Sequence, residues 1–158
     1  MSRYKTQVVS PAALAVDTGF LWLMGAAAEG FMLRGVVIGI RHTTAATAVT
    51  DFQAKIGINR VTTDGTGALT ASTVTKDKGR YPANTFRAGT AWATTNPTLA
   101  SSDSLVIPFN AKSGVELPFE FLDEWEVTNA VTDGFVFINR GNALPASHVV
   151  DITVKIEV

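Results

Sequence analysis

His42 and His148 are the only imidazoles of the chain, and they stand 106 residues apart. A two-histidine metal site is one reading. No acidic residue flanks both, so hydrogen-bonded or surface histidines are the plainer reading. Five of the 14 acids fall within eleven residues: Glu116, Glu120, Asp123, Glu124 and Glu126. Paired carboxylates cleave glycosidic bonds when about 5–9.5 Å apart, clustered carboxylates hold calcium, and a charged strand pair can meet a partner. Spacing of this kind is also how a solvated strand face looks. The stretch KDKGRYPANTFR (76–87) carries Lys76, Lys78, Arg80 and Arg87 with Tyr81 and Phe86 between them. Basic and aromatic side chains together bind single-stranded nucleic acid or a protein surface. Trp22, Trp92 and Trp125 offer a possible sugar-stacking platform, with Trp92 expected in a loop and Trp125 in the core.

Other chemistries lack their residues. There is no cysteine, so disulfides, thiol catalysis and cysteine-based zinc sites are out. TTDGTG (62–67) lacks the Lys-Ser/Thr ending of a phosphate loop and reads as a hairpin tip. No serine sits in a G-x-S-x-G frame. The net charge of −1 supplies no excess of cations to neutralise phosphates, so no nucleic-acid partner is expected. No cofactor is expected, and the chain is expected not to be an enzyme.

These side chains need a scaffold, and composition points to strands. With 20 Thr, 17 Val and 8 Ile, 45 of 158 residues are β-branched, stiff at χ1 and suited to a pleated surface. The length is that of one domain. Residues 20–40 look apolar but contain Glu29, Arg34 and four glycines, which argues against a membrane span. Asp17 argues against a secretory leader, so an intracellularly made, soluble protein is expected.

Period-2 alternation marks strands at 51–59, 105–111, 115–121 and 149–158. Weaker candidates are 20–24, 33–41, 69–75, 124–129 and 135–139. Asp64-Gly65 and Asp133-Gly134 predict hairpin turns. Pro108 and Pro118 predict edge or bulged strands. Residues 76–97 carry few strand signals and fit a crossover or a functional loop. Residues 1–19, with Ser10-Pro11 as a possible helix start, read as an N-terminal arm ahead of a domain at 20–158. The expected fold is all-β: an antiparallel, jelly-roll-like β-sandwich of eight or nine strands.

NPTLASSDSLVIPFNAKSG (96–114), DGFVFINRG (133–141) and the closing VVDITVKIEV (149–158) carry a resemblance. Pro97–Ala100 leads into a strand, Phe109–Gly114 leads out of one, and Ile152–Glu157 is a β-branched final strand ending on an acid. This pattern resembles small β-sandwich head decoration (cement) proteins of tailed bacteriophages. It covers roughly the C-terminal 60 residues, with a vaguer match over 36–75. The resemblance implies a subunit made in the host cytoplasm and carried on the outer capsid surface of the virion. Its partner would be the major capsid protein, and it would act as a homotrimer that locks the expanded shell. No membrane partner is implied.

The expected contact residues are Arg3, Tyr4, Lys5, Lys76, Lys78, Arg80, Tyr81, Arg87, Trp92, Glu120 and Glu124. Residues 20–24, 31–33 and 135–138 are apolar on both faces and are expected to bury themselves in self-association. Deleting residues 1–17 is expected to weaken particle binding without unfolding the domain. The alternative is a carbohydrate- or receptor-binding module of a fibre or tail tip, with Trp92, Tyr81 and the 76–87 stretch as its site.

Overall fold

A computed structural model describes residues 1–119 and 125–158. Among them twelve strands form: β1 (Arg3–Val9), β2 (Gly19–Met24), β3 (Phe31–His42), β4 (Gln53–Val61), β5 (Leu69–Ala71), β6 (Val74–Lys76), β7 (Arg87–Trp92), β8 (Leu105–Asn110), β9 (Val115–Pro118), β10 (Glu126–Val127), β11 (Gly134–Asn139) and β12 (His148–Glu157). Sheet I runs β10-β3-β12-β1-β6, with β9 on the same edge of β3 as β10. Sheet II runs β5-β7-β2-β11-β4-β8. All pairings are antiparallel, and the two sheets pack as a β-sandwich.

No two strands consecutive in sequence pair with each other, and most connections cross from one sheet to the other. The two Asp-Gly pairs are therefore not hairpin turns. Asp133 closes the turn between β10 and β11, which lie in different sheets. Its Oδ2 accepts from Thr128 N (2.9 Å) and its Oδ1 from Arg60 (3.0 Å). Asp64-Gly65 lies in the run from β4 to β5, strands of one sheet that do not touch.

The sandwich filling follows alternation. Tyr4, Thr6 and Val8 of β1, Ile38 and Ile40 of β3, and Ile152, Val154 and Ile156 of β12 point inward from sheet I. Leu21, Leu23, Ile56, Ile58, Phe135 and Phe137 meet them from sheet II. Both prolines sit where a missing donor costs nothing, Pro108 on edge strand β8 and Pro118 on edge strand β9.

The expected division into arm and domain gives way. Residues 3–9 form β1, an interior strand hydrogen-bonded to β12 on one side and β6 on the other. Ser10 starts no helix. Its Oγ accepts from Val150 N (2.9 Å), which extends the β1–β12 contact beyond the strand. Within 69–75 the chain changes sheets, leaving β5 on sheet II and β6 on sheet I. The quiet stretch 76–97 contains β7.

Sheet II is apolar on both faces. Trp22, Met24, Val61, Trp92, Val136 and Ile138 form a second cluster on its outer side, and every one is buried. Leaving Trp22, Met24, Val136 and Ile138 wet would forfeit roughly 6–12 kcal/mol of burial, as much as a typical net stability. The chain covers them itself. Leu99 packs on the cluster, and residues 93–95 bond residues 66–68 above it. A Cβ at Gly65 would lie 2.4 Å from the Trp92 ring, so this position admits only glycine. Of the doubly apolar stretches expected to drive self-association, 20–24 and 135–138 are thus buried within one chain, whereas 31–33 lies in sheet I with Met32 half-buried.

Candidate contact surface

The 13 Lys and Arg side chains divide unevenly. Eight make ion pairs. The other five, Lys5, Lys55, Lys76, Lys78 and Arg80, make none among the described residues, and four of these five occupy one corner. Register brings them together: Tyr4 stands opposite Lys76 and Lys5 opposite Thr75. Asp77 N donates to Arg3 O (3.0 Å), which carries the pairing into the loop. Lys78 and Arg80 follow on the turn closed by Tyr81 N donating to Lys78 O (3.0 Å). Arg3, two-thirds exposed and 3.7 Å from Glu157, adds a fifth cation. Among the described residues the acids at this corner are Asp77 and Glu157, the latter paired with Arg3 and Arg34.

The loop carrying these charges is anchored at both ends. The Tyr4 hydroxyl donates to Pro82 O (3.1 Å). The Tyr4 ring meets Phe86 edge-on at 5.8 Å and Tyr81 at 6.4 Å, and Phe86 rests on Phe31 at 5.1 Å. Glu29 Oε2 accepts from Thr85 N, from Thr85 Oγ1 and from Phe86 N. A charged loop held in place loses little conformational freedom on binding.

The expected contact residues thus fall into groups. Arg3, Lys5, Lys76, Lys78 and Arg80 converge, and half-buried Tyr81 stands beside them. Tyr4 belongs to the core. Arg87 is a brace: it binds Asp64 through two nitrogens (3.2 and 3.1 Å), donates to Val131 O (2.7 Å) and lies over the Trp92 ring. Trp92 lies beneath residues 62–68 and only 9% exposed, so the sugar platform expected there is covered. Glu120 and Glu124, with Asp123 of the acidic group, lie outside the described residues. Glu116 pairs with Lys155 (2.7 Å). The expectation of one wet face per sheet holds for sheet I. An open groove of about 590 Å³ there is floored by Gly39 and lined by Val37, Glu116, Asp151 and Thr153.

One polar cluster has no sequence signal. Arg140 grips Asp103 through two nitrogens (2.9 and 2.8 Å) and reaches Asp17 (2.7 Å). The hydrogen bonds it donates to Asp103 and then to Asp17 hold its guanidinium above the ordinary arginine value. Asn59 donates to the same Asp103 (2.9 Å). A Cβ at Gly57 would lie 2.7 Å from both Arg140 and Asp103. These groups bond one another on the outer face of sheet II, which makes them a structural clamp, and Asn59 Oδ1 is the one buried atom among them left without a partner among the described residues. Among the described residues no three His, Asp or Glu side chains gather as a metal site needs. Comparison with protein-family models, curated proteins and solved structures gives no match to this chain.

Proposed function

We propose that the chain is a decoration subunit of a tailed-bacteriophage head that sets its basic corner against an acidic stretch on the outside of the expanded shell. The observation that carries the reading is the convergence of Lys5 of β1, Lys76 of β6 and Lys78 and Arg80 of the anchored loop, none of them ion-paired among the described residues, in a chain whose net charge is −1. Strand order supports it. The orders β1-β12-β3-β9 in one sheet and β2-β11-β4-β8 in the other are those a jelly roll of eight strands would have, with β5, β6, β7 and β10 as additions to it. The decoration-protein pattern at 96–114 and 133–158 adds to this. In this reading the chain performs no catalysis, and it stabilises the shell because it binds the expanded form alone.

Cosedimentation of the chain with expanded and unexpanded heads tests the reading. Binding to expanded heads only is expected, weakened at least about tenfold by K76E/K78E/R80E and by raised salt. Equal binding to both forms, or an unchanged affinity in the triple variant, would sink it. The working form is a homotrimer, and a light-scattering mass three times that of the chain is the expected result.

A further inference from the structure

We propose that His148 is an acid-released clasp on the 43–52 segment. His148 and His42 are cross-strand partners on β12 and β3, with ring centroids 5.2 Å apart and rings edge to face. Phe52 closes the other side of the His148 ring at 5.8 Å, and the residue is only 3% exposed. Its Nδ1 lies 3.0 Å from Ala146 O. A carbonyl can only accept, so Nδ1 carries the proton. Nε2 accepts from Thr50 N (3.1 Å), so Nε2 carries none. The neutral ring satisfies both contacts, and a second proton would turn Nε2 against the Thr50 N–H.

The surroundings offer that second proton nothing. The titratable group facing the ring is His42, whose Nδ1 accepts from Thr44 N (3.0 Å) at the start of the same segment. A proton on His42 also breaks a tether and places a like charge beside His148. Arg41 and Asp151 pair with each other (2.7 Å) on the opposite face by strand alternation. Asp51 is taken by Asn110 (2.8 Å) and lies 3.7 Å from Lys112. The turn before β12 contributes backbone contacts, His148 N donating to Pro145 O and Ala146 O receiving Nδ1–H. Acid therefore unfastens the segment at Thr50 while leaving the sheets paired. This holds whatever partner the chain has.

Nuclear magnetic resonance of the unmodified chain tests the clasp. Near neutral pH, His148 should show the Nδ1–H tautomer. On acidification from about pH 7.5 to about pH 5, the Thr50 amide should lose at least about tenfold in protection relative to Val136 of β11. The Nε2–H tautomer, or parallel protection of the two amides across that range, overturns the proposal. H148Q keeps an acceptor and takes up no proton, so it should abolish the pH dependence; dependence that persists in H148Q overturns the proposal. H42Q should retain it; loss there would assign the release to His42 and overturn the proposal as well. If H148Q does not fold, the tautomer and the protection of the unmodified chain decide.

Discussion

Replacing Tyr4 by Ala separates a core strand from a surface arm. The Tyr4 side chain is 1% exposed, packed edge-on against Phe86 at 5.8 Å and hydrogen-bonded to Pro82 O at 3.1 Å. Truncating a buried aromatic ring costs about 3–5 kcal/mol. Tyr4→Phe keeps the ring and loses one hydrogen bond, about 1 kcal/mol. Lys5→Ala, one residue on and pointing outward, should stay within about 0.5 kcal/mol of the parent. For a domain of this length 1 kcal/mol moves the melting temperature by about 2–4 °C. Tyr4→Ala should thus melt roughly 6–20 °C lower, Tyr4→Phe about 2–4 °C lower, and Lys5→Ala within about 2 °C of the parent. Thermal melts by circular dichroism, paired with urea titrations at unchanged slope, read all three. A Tyr4→Ala melt within about 2 °C of the parent would show that residues 3–9 lend the core nothing, and would restore the arm. The same logic makes the deletion of 1–17 a folding defect, not a binding defect.

Three further perturbations probe the other layers. Arg140→Met strips the ion-pair partner from Asp103, which is 12% exposed and keeps the Asn59 hydrogen bond, and should cost roughly 3 kcal/mol in urea denaturation; a cost under about 1 kcal/mol would show that the clamp is ornamental. Gly65→Val drives a side chain into the Trp92 ring, so it should cost about 1–3 kcal/mol and shift tryptophan emission to the red; unchanged emission would place residues 62–68 elsewhere. Gly39→Thr fills open space in the middle of β3, with no atom within 4 Å of the added Cβ; it should raise stability by about 0.5–1 kcal/mol, and destabilisation in the same melts would mean that the groove floor is already occupied.

Much of the fold was legible because alternation is a local signal. β4, β8 and β12 fall within two residues of their expected spans, and both strand prolines sit on edges. β1 was missed although Tyr4, Thr6 and Val8 alternate with Arg3, Lys5 and Gln7. The run is short, and the Ser10-Pro11 that follows mimics a helix start. β7 was missed because Ala88, Gly89 and Ala91 give it little β-branched or aromatic content. The hairpin expectation failed for a different reason. Asp-Gly favours a tight reversal, but a reversal makes a hairpin only if the flanking strands pair, and pairing here is decided by distant strands. Trp92 was misplaced because the cover over it depends on Gly65, 27 residues earlier.

The contact surface was half legible for the same reason. Each basic side chain was visible in the sequence, but the convergence of Arg3 and Lys5 with Lys76, Lys78 and Arg80 needs the β1–β6 pairing. What assembly can draw upon follows from the burial of sheet II. Strands apolar on both faces cannot reveal from sequence whether another chain or the same chain covers them. Here Leu99 and residues 62–68 do so, which removes the largest apolar reserve from any interface. Among the described residues the exposed apolar side chains that remain are scattered, Val9, Val16, Val37, Val106 and Val131 among them, so the proposed association would lean on polar and charged contacts. An exposed ion pair contributes about 0–1 kcal/mol, so five cations at one corner hold a partner weakly and in a salt-dependent way. Such a corner becomes effective where many copies meet a repeating surface and the weak contacts multiply. In the decoration reading proposed above, a shell lattice would present that geometry.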